Sequence, residues 1–339
     1  MRSEPSPPTT FRSDRRAWAA GVVSALLAGA LPRHARAQPD RPLRLVVGFP
    51  PGGTLDVLAR LVGDGLRRAG TPSVVVENRP GAGSLIAAES VARAAPDGTT
   101  LLAAPLVVTS FFPSTHAKLS FDPLRDLVPV AMLGTFRFAL AVADSHPARD
   151  LAGFVAHVRR NPGRVSFGSV SAGTPSHFLG VMLNRAAGLD MTHVPYKGGA
   201  PALTGLLGGE VDAIFDVVTN TVAQHRAGRL RILAVTGAQR SPLLPEVAVF
   251  RESGLGLREI DEATLWYGFF APAGTPAATV ERQNREIARV VSDAALRERL
   301  DALDIAPAAP EPAAFARFVR EDSERWGTVI RATGFKVTD

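Results

Sequence analysis

At positions 46–62 the chain reads VVGFPPGGTLDVLARLV, and the reading of this stretch decides the fold. A short apolar run ends in Phe49-Pro50-Pro51-Gly52-Gly53-Thr54, and a helical pattern starts at once, with Leu55, Leu58, Val62 and Leu66 on one face. Strand, glycine-rich turn and amphipathic helix in this order make a βα unit. The turn also has a chemical reading. A helix start carries four backbone N–H groups without intrahelical partners and the positive end of the helix dipole. Glycines let an anion approach those groups closely, and a hydroxyl adds a donor. Thr54 can equally be an N-cap for its own helix, with Asp56 complementing the dipole. Taken alone, the turn fits both an anion cradle and a plain connection.

The same theme recurs along the chain. SVVVEN (73–78) leads to RPGAGS and a helix over 84–94, and GTTLLAA (98–104) reads as a third strand. The run 128–143 holds one or two more strands. RVSFGS (164–169) leads to VSAGTPS and a helix over 175–187, and THVPY (192–196) leads to KGGAP and a helix over 201–207. VDAIFD (211–216) leads to VTNT and another helix, and RLRILAVT (229–236) is a further strand. The stretch 144–163, helical through its middle, follows a long strand as a crossover between lobes would. LWYGFFAPAGTP (265–276) is the candidate return crossing, before helical stretches around 276–303 and 311–333. Alternating strands and helices with short loops imply mainly parallel, doubly wound sheets covered by helices on both faces. Ligands of such open sheets lie beyond the carboxyl ends of the strands, where all the glycine-rich loops fall.

Composition narrows the function. The 339 residues exceed what one core usually serves, so two domains are expected. The net charge of +6 suggests an acidic partner, but residues 1–37 alone hold Arg2, Arg12, Arg15, Arg16, Arg33 and Arg36 against Glu4 and Asp14. No basic cluster interleaved with aromatics follows, which argues against nucleic-acid binding. The arginine-rich start precedes the apolar stretch 17–31 and the Ala35-Arg36-Ala37 pattern before Gln38, the layout of a cleaved signal peptide. Arg15-Arg16 hints at a twin-arginine route. The mature protein is therefore expected to be exported to the periplasm. With no cysteine there is no disulfide or thiol chemistry, and the seven histidines are scattered without metal-ligand spacing. No cofactor and no metal are assigned.

Three further loops share the design of the first: Gly81-Ala82-Gly83-Ser84, Gly173-Thr174-Pro175-Ser176 and Lys197-Gly198-Gly199-Ala200. Pro175 suits a first helical position, with Thr174 as N-cap. Several anion-ready helix starts at one end of two facing lobes suggest a cleft that grips a small carboxylate through backbone N–H groups and hydroxyls. Other motifs fail. GAGSLI has Ile86 where a dinucleotide fingerprint needs its third small residue, and no GK[ST] follows any loop. SVSAG misses the nucleophile elbow because Ser169 replaces its first glycine. Ser171 with His177 or His193 and Asp216 is the remaining hydrolase candidate. Asp216, at the end of an apolar strand, either orients a ligand amine or water or caps the next turn. Phe49, Tyr196 and Trp266 are either cleft walls or core.

The pattern resembles the periplasmic receptors of tripartite tricarboxylate transporters, the Bug-type proteins. The likeness runs through 41–60, VVVENRPGAGS (74–84), APDGTTLL (95–102), HVPYKGGAPALTGLLGGEVD (193–212), 227–247 and WYGFFAPAGTP (266–276). It implies a two-lobed type II periplasmic-binding-protein fold that closes on its ligand, a small organic carboxylate, and delivers it to a two-component membrane permease. It also implies ligand contacts from Phe49, Gly52, Gly53 and Thr54, from Ala82, Gly83 and Ser84, from Ser169, Thr174, Ser176 and His177, and from Asp216; Tyr196 joins these candidates on its own reading as a cleft wall. VSAGTPSH stands where the family usually has a stretch like GNGTSSH, and Val217 follows Asp216 where an asparagine is usual.

The expectation is a non-catalytic, monomeric receptor without nucleic-acid partners. Its first lobe takes 38–142 and 264–339, and its second 143–263. The alternatives are a secreted serine hydrolase using Ser171 and a ligand-sensing subunit of a signalling system.

Overall fold

The computed structural model describes residues 41–337, so the expected signal peptide at 1–37 lies outside the described residues. The strands are β1 (Leu43–Val47), β2 (Val74–Asn78), β3 (Thr100–Pro105), β4 (Leu127–Phe136), β5 (Phe138–Ala143), β6 (Ser166–Ser169), β7 (Thr192–Pro195), β8 (Ala213–Val217), β9 (Leu230–Val235) and β10 (Leu265–Pro272). They form two sheets of five, ordered β2-β1-β3-β10-β4 and β7-β6-β8-β5-β9. The two orders are the same pattern. In each, three strands pair in parallel, β2 with β1 and β1 with β3, or β7 with β6 and β6 with β8. One strand then opposes both its neighbours: β10 against β3 and β4, β5 against β8 and β9.

The opposed strands are those that follow a change of sheet. Only Arg137 separates β4 from β5, so the chain crosses there in a single residue. This corrects the expected boundary at 142/143, because β5 bonds to β8 and β9 rather than prolonging β4. It also removes the crossover role from the helix within 144–163. The chain comes back to the first sheet at β10.

The helices are α1 (Thr54–Arg68), α2 (Leu85–Ala92), α3 (Phe112–Thr115), α4 (Leu151–Arg160), α5 (Pro175–Ala187), α6 (Gly199–Leu207), α7 (Val218–Arg226), α8 (Arg258–Glu262), α9 (Ala277–Val291), α10 (Ala294–Ala302) and α11 (Pro312–Ala332). Strands β3 and β10 are buried along their whole length, as strands covered by helices on both faces must be. The period of two sorts β10 between two cores. Trp266 and Phe270 face the core that takes in Phe315, Val319 and Trp326 of α11. Tyr267, Phe269 and Ala271 face the core of α1 and α9. Trp266 is fully buried and its indole N–H donates to Asp322 at 2.9 Å, so it is core and not cleft wall. No helix among the described residues is long and apolar enough to cross a membrane.

Candidate functional site

The loop after β1 is braced from beneath by Asp56. Its carboxylate, 2% exposed, accepts from the Gly52 N–H at 2.9 Å, from Asn78 Nδ2 at 2.8 Å and from Arg60 at 2.9 and 3.0 Å. Burial alone would raise its pKa, but the bonds from Arg60, Gly52 and Asn78 hold the carboxyl below its ordinary range. Asn78 also donates to the Phe49 carbonyl at 3.0 Å, which ties β2 to the loop. Two expectations are corrected here. The Gly52 N–H is spent on Asp56, so it is not a free ligand donor. Thr54 is not the N-cap: Gly53 takes that position, and no side chain caps the helix. Gly53 has an ordinary φ of −71°, and a Cβ there would meet nothing closer than the Pro50 carbonyl at 3.7 Å. Backbone geometry does not demand glycine at 53; its missing side chain leaves the start of α1 open.

The loop after β2 is strained. Gly81, Ala82, Gly83 and Ser84 all have positive φ, at 142°, 45°, 63° and 85°. Two of the four are not glycine, and such strain persists only where its surroundings hold it. Ser84 is held tightly: a Cβ on Gly48 would lie 1.9 Å from its Oγ. Its hydroxyl is buried and has no hydrogen-bond partner. Among the described residues, no other unpartnered buried side-chain atom lies on a loop that the sequence singled out. Ala82 and Gly83 are exposed beside it.

The loop after β6 is closed on itself. Ser176 Oγ accepts from the Val170 N–H at 2.9 Å, and Thr174 Oγ1 donates to the Ser171 carbonyl at 2.7 Å. Thr174 is the N-cap of α5 by backbone geometry, and Pro175 starts the helix, but no side-chain cap bond forms. Ser169 Oγ is buried, donates to the Ser171 carbonyl at 3.0 Å and lies 2.6 Å from His193 Nε2. His177 accepts from the Gly173 N–H at 3.3 Å and stacks on His193 with centroids 3.9 Å apart. Burial lowers the pKa of both histidines to about 4, with the neighbouring His193 adding to the effect on His177, so both are neutral above that pH. The hydroxyls of Ser169, Thr174 and Ser176 thus bond within the loop.

Tyr196 departs from the group. Its ring fills a slot left by Gly168 and Gly205, and its hydroxyl donates to Glu210 at 3.1 Å near the far end of α6. The strand end of β8 keeps its place. Asp216, 1% exposed, accepts from the Val217 N–H at 2.7 Å and from Asn220 Nδ2 at 3.2 Å on both oxygens. Burial pushes its carboxyl up to about 6 against those bonds. VTNT is not a loop but the first turn of α7, which brings Asn220 onto Asp216.

Thr54 meets Val217, Val218 and Thr219 around a gap of about 10 Å³, with Phe136, Arg137 and Tyr267 on its walls. Tyr267 was not singled out in the sequence. It stacks on Phe136 at 4.3 Å, and its phenol pKa is raised by burial first and by the charge of Asp216 second. The alternation along β10 carries the signal, since Trp266 and Tyr267 must face opposite ways. Arg137 also lines a separate cavity of about 650 Å³ along the crossing segments. The arginines there are engaged: Arg137 with Asp304 at 3.0 Å, Arg251 with Asp261 at 3.1 Å, and Arg325 with the Glu262 carbonyl.

The hydrolase constellation does not assemble. Ser171 is exposed and donates only to the Ala172 carbonyl at 3.4 Å, while the Asp216 carboxylate bonds to Val217 and Asn220. No group of three or more histidine, aspartate or glutamate side chains that could hold a metal occurs among the described residues.

Known proteins resemble this chain in sequence and fold. The profile of the tripartite tricarboxylate transporter family receptor matches residues 58–335. BugT of Bordetella pertussis is 34% identical over 322 residues, which span 94% of this chain and 97% of BugT. Among solved structures, Rpa4515 of Rhodopseudomonas palustris with adipate is 29% identical, with a TM-score of 0.78 over 88% of this chain and 100% of that one. MatC of the same organism with bound malate is 32% identical, with a TM-score of 0.73 over 86% and 99%.

Proposed function

Since the chain belongs to the tripartite tricarboxylate transporter receptor family, we propose that it is a periplasmic receptor that captures a small organic carboxylate between two lobes. One lobe is built on each sheet, with the crossings at Arg137 and just before β10. The observation that carries this reading is Ser84, a buried hydroxyl without a partner on a strained loop at the carboxyl end of a parallel strand. Burying an unsatisfied hydroxyl costs about 1–3 kcal/mol, which a ligand oxygen at that place would recover. The open start of α1 at Gly53 supplies backbone donors nearby, and Asp216 with Asn220 bounds the opposite side. Adipate in Rpa4515 and malate in MatC support a dicarboxylate as ligand class. With Ser84 and the Gly53 helix start, Phe49, Thr54, Ala82 and Gly83 are the proposed contacts of the first lobe. His177 and the strand end of β8 are those of the second. Release would be to a two-component membrane permease, the partner that the family's transporter implies, and the receptor would act as a monomer without catalysis.

A thermal-shift screen of the mature chain, Gln38 to Asp339, against small carboxylates including malate and adipate tests this. A ligand at a hundred times its dissociation constant adds about 2.7 kcal/mol, which raises the melting temperature by several degrees. One clear hit supports the reading. A flat panel, with no ligand released on denaturation and detected by mass spectrometry, counts against it.

A further inference from the structure

After α11, residues 335–337 lie against the loop after β6 and against α3. Phe335 sets its ring edge-on to His177, with centroids 5.3 Å apart at 69°, and to Phe178 at 5.8 Å and 85°. It approaches Gly173 so closely that a Cβ there would stand 2.8 Å from the ring. The next two residues reach the other sheet's helices. Lys336 Nζ donates to the Ser114 carbonyl at 2.7 Å, and the Val337 N–H donates to the Thr115 carbonyl at 2.8 Å. His116 and Val337 form a parallel bridge there. Behind Phe335, Phe178 contacts Phe111 at 5.8 Å and Phe111 contacts Trp326 at 4.6 Å, which returns the aromatic chain to α11. Three consecutive residues therefore bear on the loop after β6 with the Phe335 ring and on α3 with the Lys336 side chain and the Val337 backbone.

We propose that Phe335 is a positioning residue for the second lobe's ligand loop, and that Phe335–Val337 strap this loop to the first lobe. The loop has internal bonds, but Gly173 sits at φ 75° with the Phe335 ring packed against it. Removing the ring leaves a void beside Gly173 and His177 and frees the loop to reorient at that glycine. The effect on ligand affinity rests on the receptor function proposed above; the effect on the loop does not.

Hydrogen exchange of the unliganded protein separates the two. Phe335→Ala should speed exchange of the Val170 and Gly173 amides at least tenfold, while β1 and β3 stay as protected as in the wild type. Phe335→Leu, apolar and of similar reach, should restore most of that protection. Unchanged loop exchange in Phe335→Ala, or an equal rise across both sheets, would overturn the proposal. Malate and adipate then serve as probes, and Phe335→Ala should raise the dissociation rate of whichever binds. A wild type that binds neither counts against the dicarboxylate assignment alone, because the exchange result needs no ligand.

Discussion

The loops after β1 and β6 hold equivalent places in two sheets of one strand order, yet the polar groups of the first, with its neighbour after β2, are used differently from those of the second. In the first sheet the scaffold is ionic: Asp56 gathers Arg60, Asn78 and the Gly52 N–H beneath the loop. The rest of the loop pair is unfinished: the start of α1 has no side-chain cap, and the buried Ser84 hydroxyl has no partner. In the second sheet the loop is finished. Its hydroxyls bond inward, and two neutral histidines stack under it with Phe335 against one of them. The difference teaches a division of labour. On the proposed reading, the first lobe presents donors to an anion, and the loop after β6 offers it a shaped surface of internally bonded hydroxyls and neutral histidines.

The sharpest way to break this comparison is Gly48→Ala. The new Cβ would press on Ser84 Oγ at 1.9 Å and on its Cα at 2.6 Å, so the strained loop must move. We expect a loss of about 3 kcal/mol in chemical denaturation and no measurable carboxylate binding. Unaltered stability would mean that the Ser84 loop is not packed as described. Asp56→Ala should come next, at about 2 kcal/mol, because it strands several donors of a nearly buried carboxylate at once. Its affinity loss should exceed that of a Thr174→Ala variant, whose hydroxyl serves the second loop only.

The third test is pH. Each histidine of the stacked pair has a folded pKa of about 4 against an ordinary 6.5. The unfolded chain therefore takes the proton first, and stability is complete above 6.5 and lost between 6.5 and 4. Asp216 works the other way. Its folded pKa of about 6 lies above 3.8, so stability is gained as pH falls through that window. Melting temperatures should drop on acidification, and more steeply in Asp216→Asn, which lacks the offset. Equal slopes in the two proteins would contradict the burial of Asp216.

Most of the fold was legible because the βα units announce themselves by period and punctuation. The helix expected over 175–187 spans Pro175–Ala187, and its proline and following glycine mark both ends. The direction of β5 and β10 was not legible, since an apolar run reads the same both ways and only pairing partners decide. Site residues divide similarly. Glycines and hydroxyls at helix starts were visible as types, but which hydroxyl stays unpaired depends on contacts with other segments. Ser84 is isolated by the Gly48 backbone, whereas Ser176 is satisfied by Val170. Tyr196 and Tyr267 look alike in sequence, and small residues at Gly168 and Gly205 draw one of them away to Glu210. The missing asparagine after Asp216 is supplied in space by Asn220, one helical turn on.

The central claim is that Ser84 is left unpaired for a ligand, and Ser84→Ala tests it most directly. Titration calorimetry of the mature protein and the variant, with malate and adipate, would be paired with their melting temperatures. We predict that the wild type binds one of the two, and that the variant binds it about tenfold more weakly, roughly 1.4 kcal/mol. Stability should not fall and should rise by about 1 kcal/mol, because no folded-state bond is lost and the unsatisfied buried hydroxyl is removed. Equal affinity in both proteins would contradict the account.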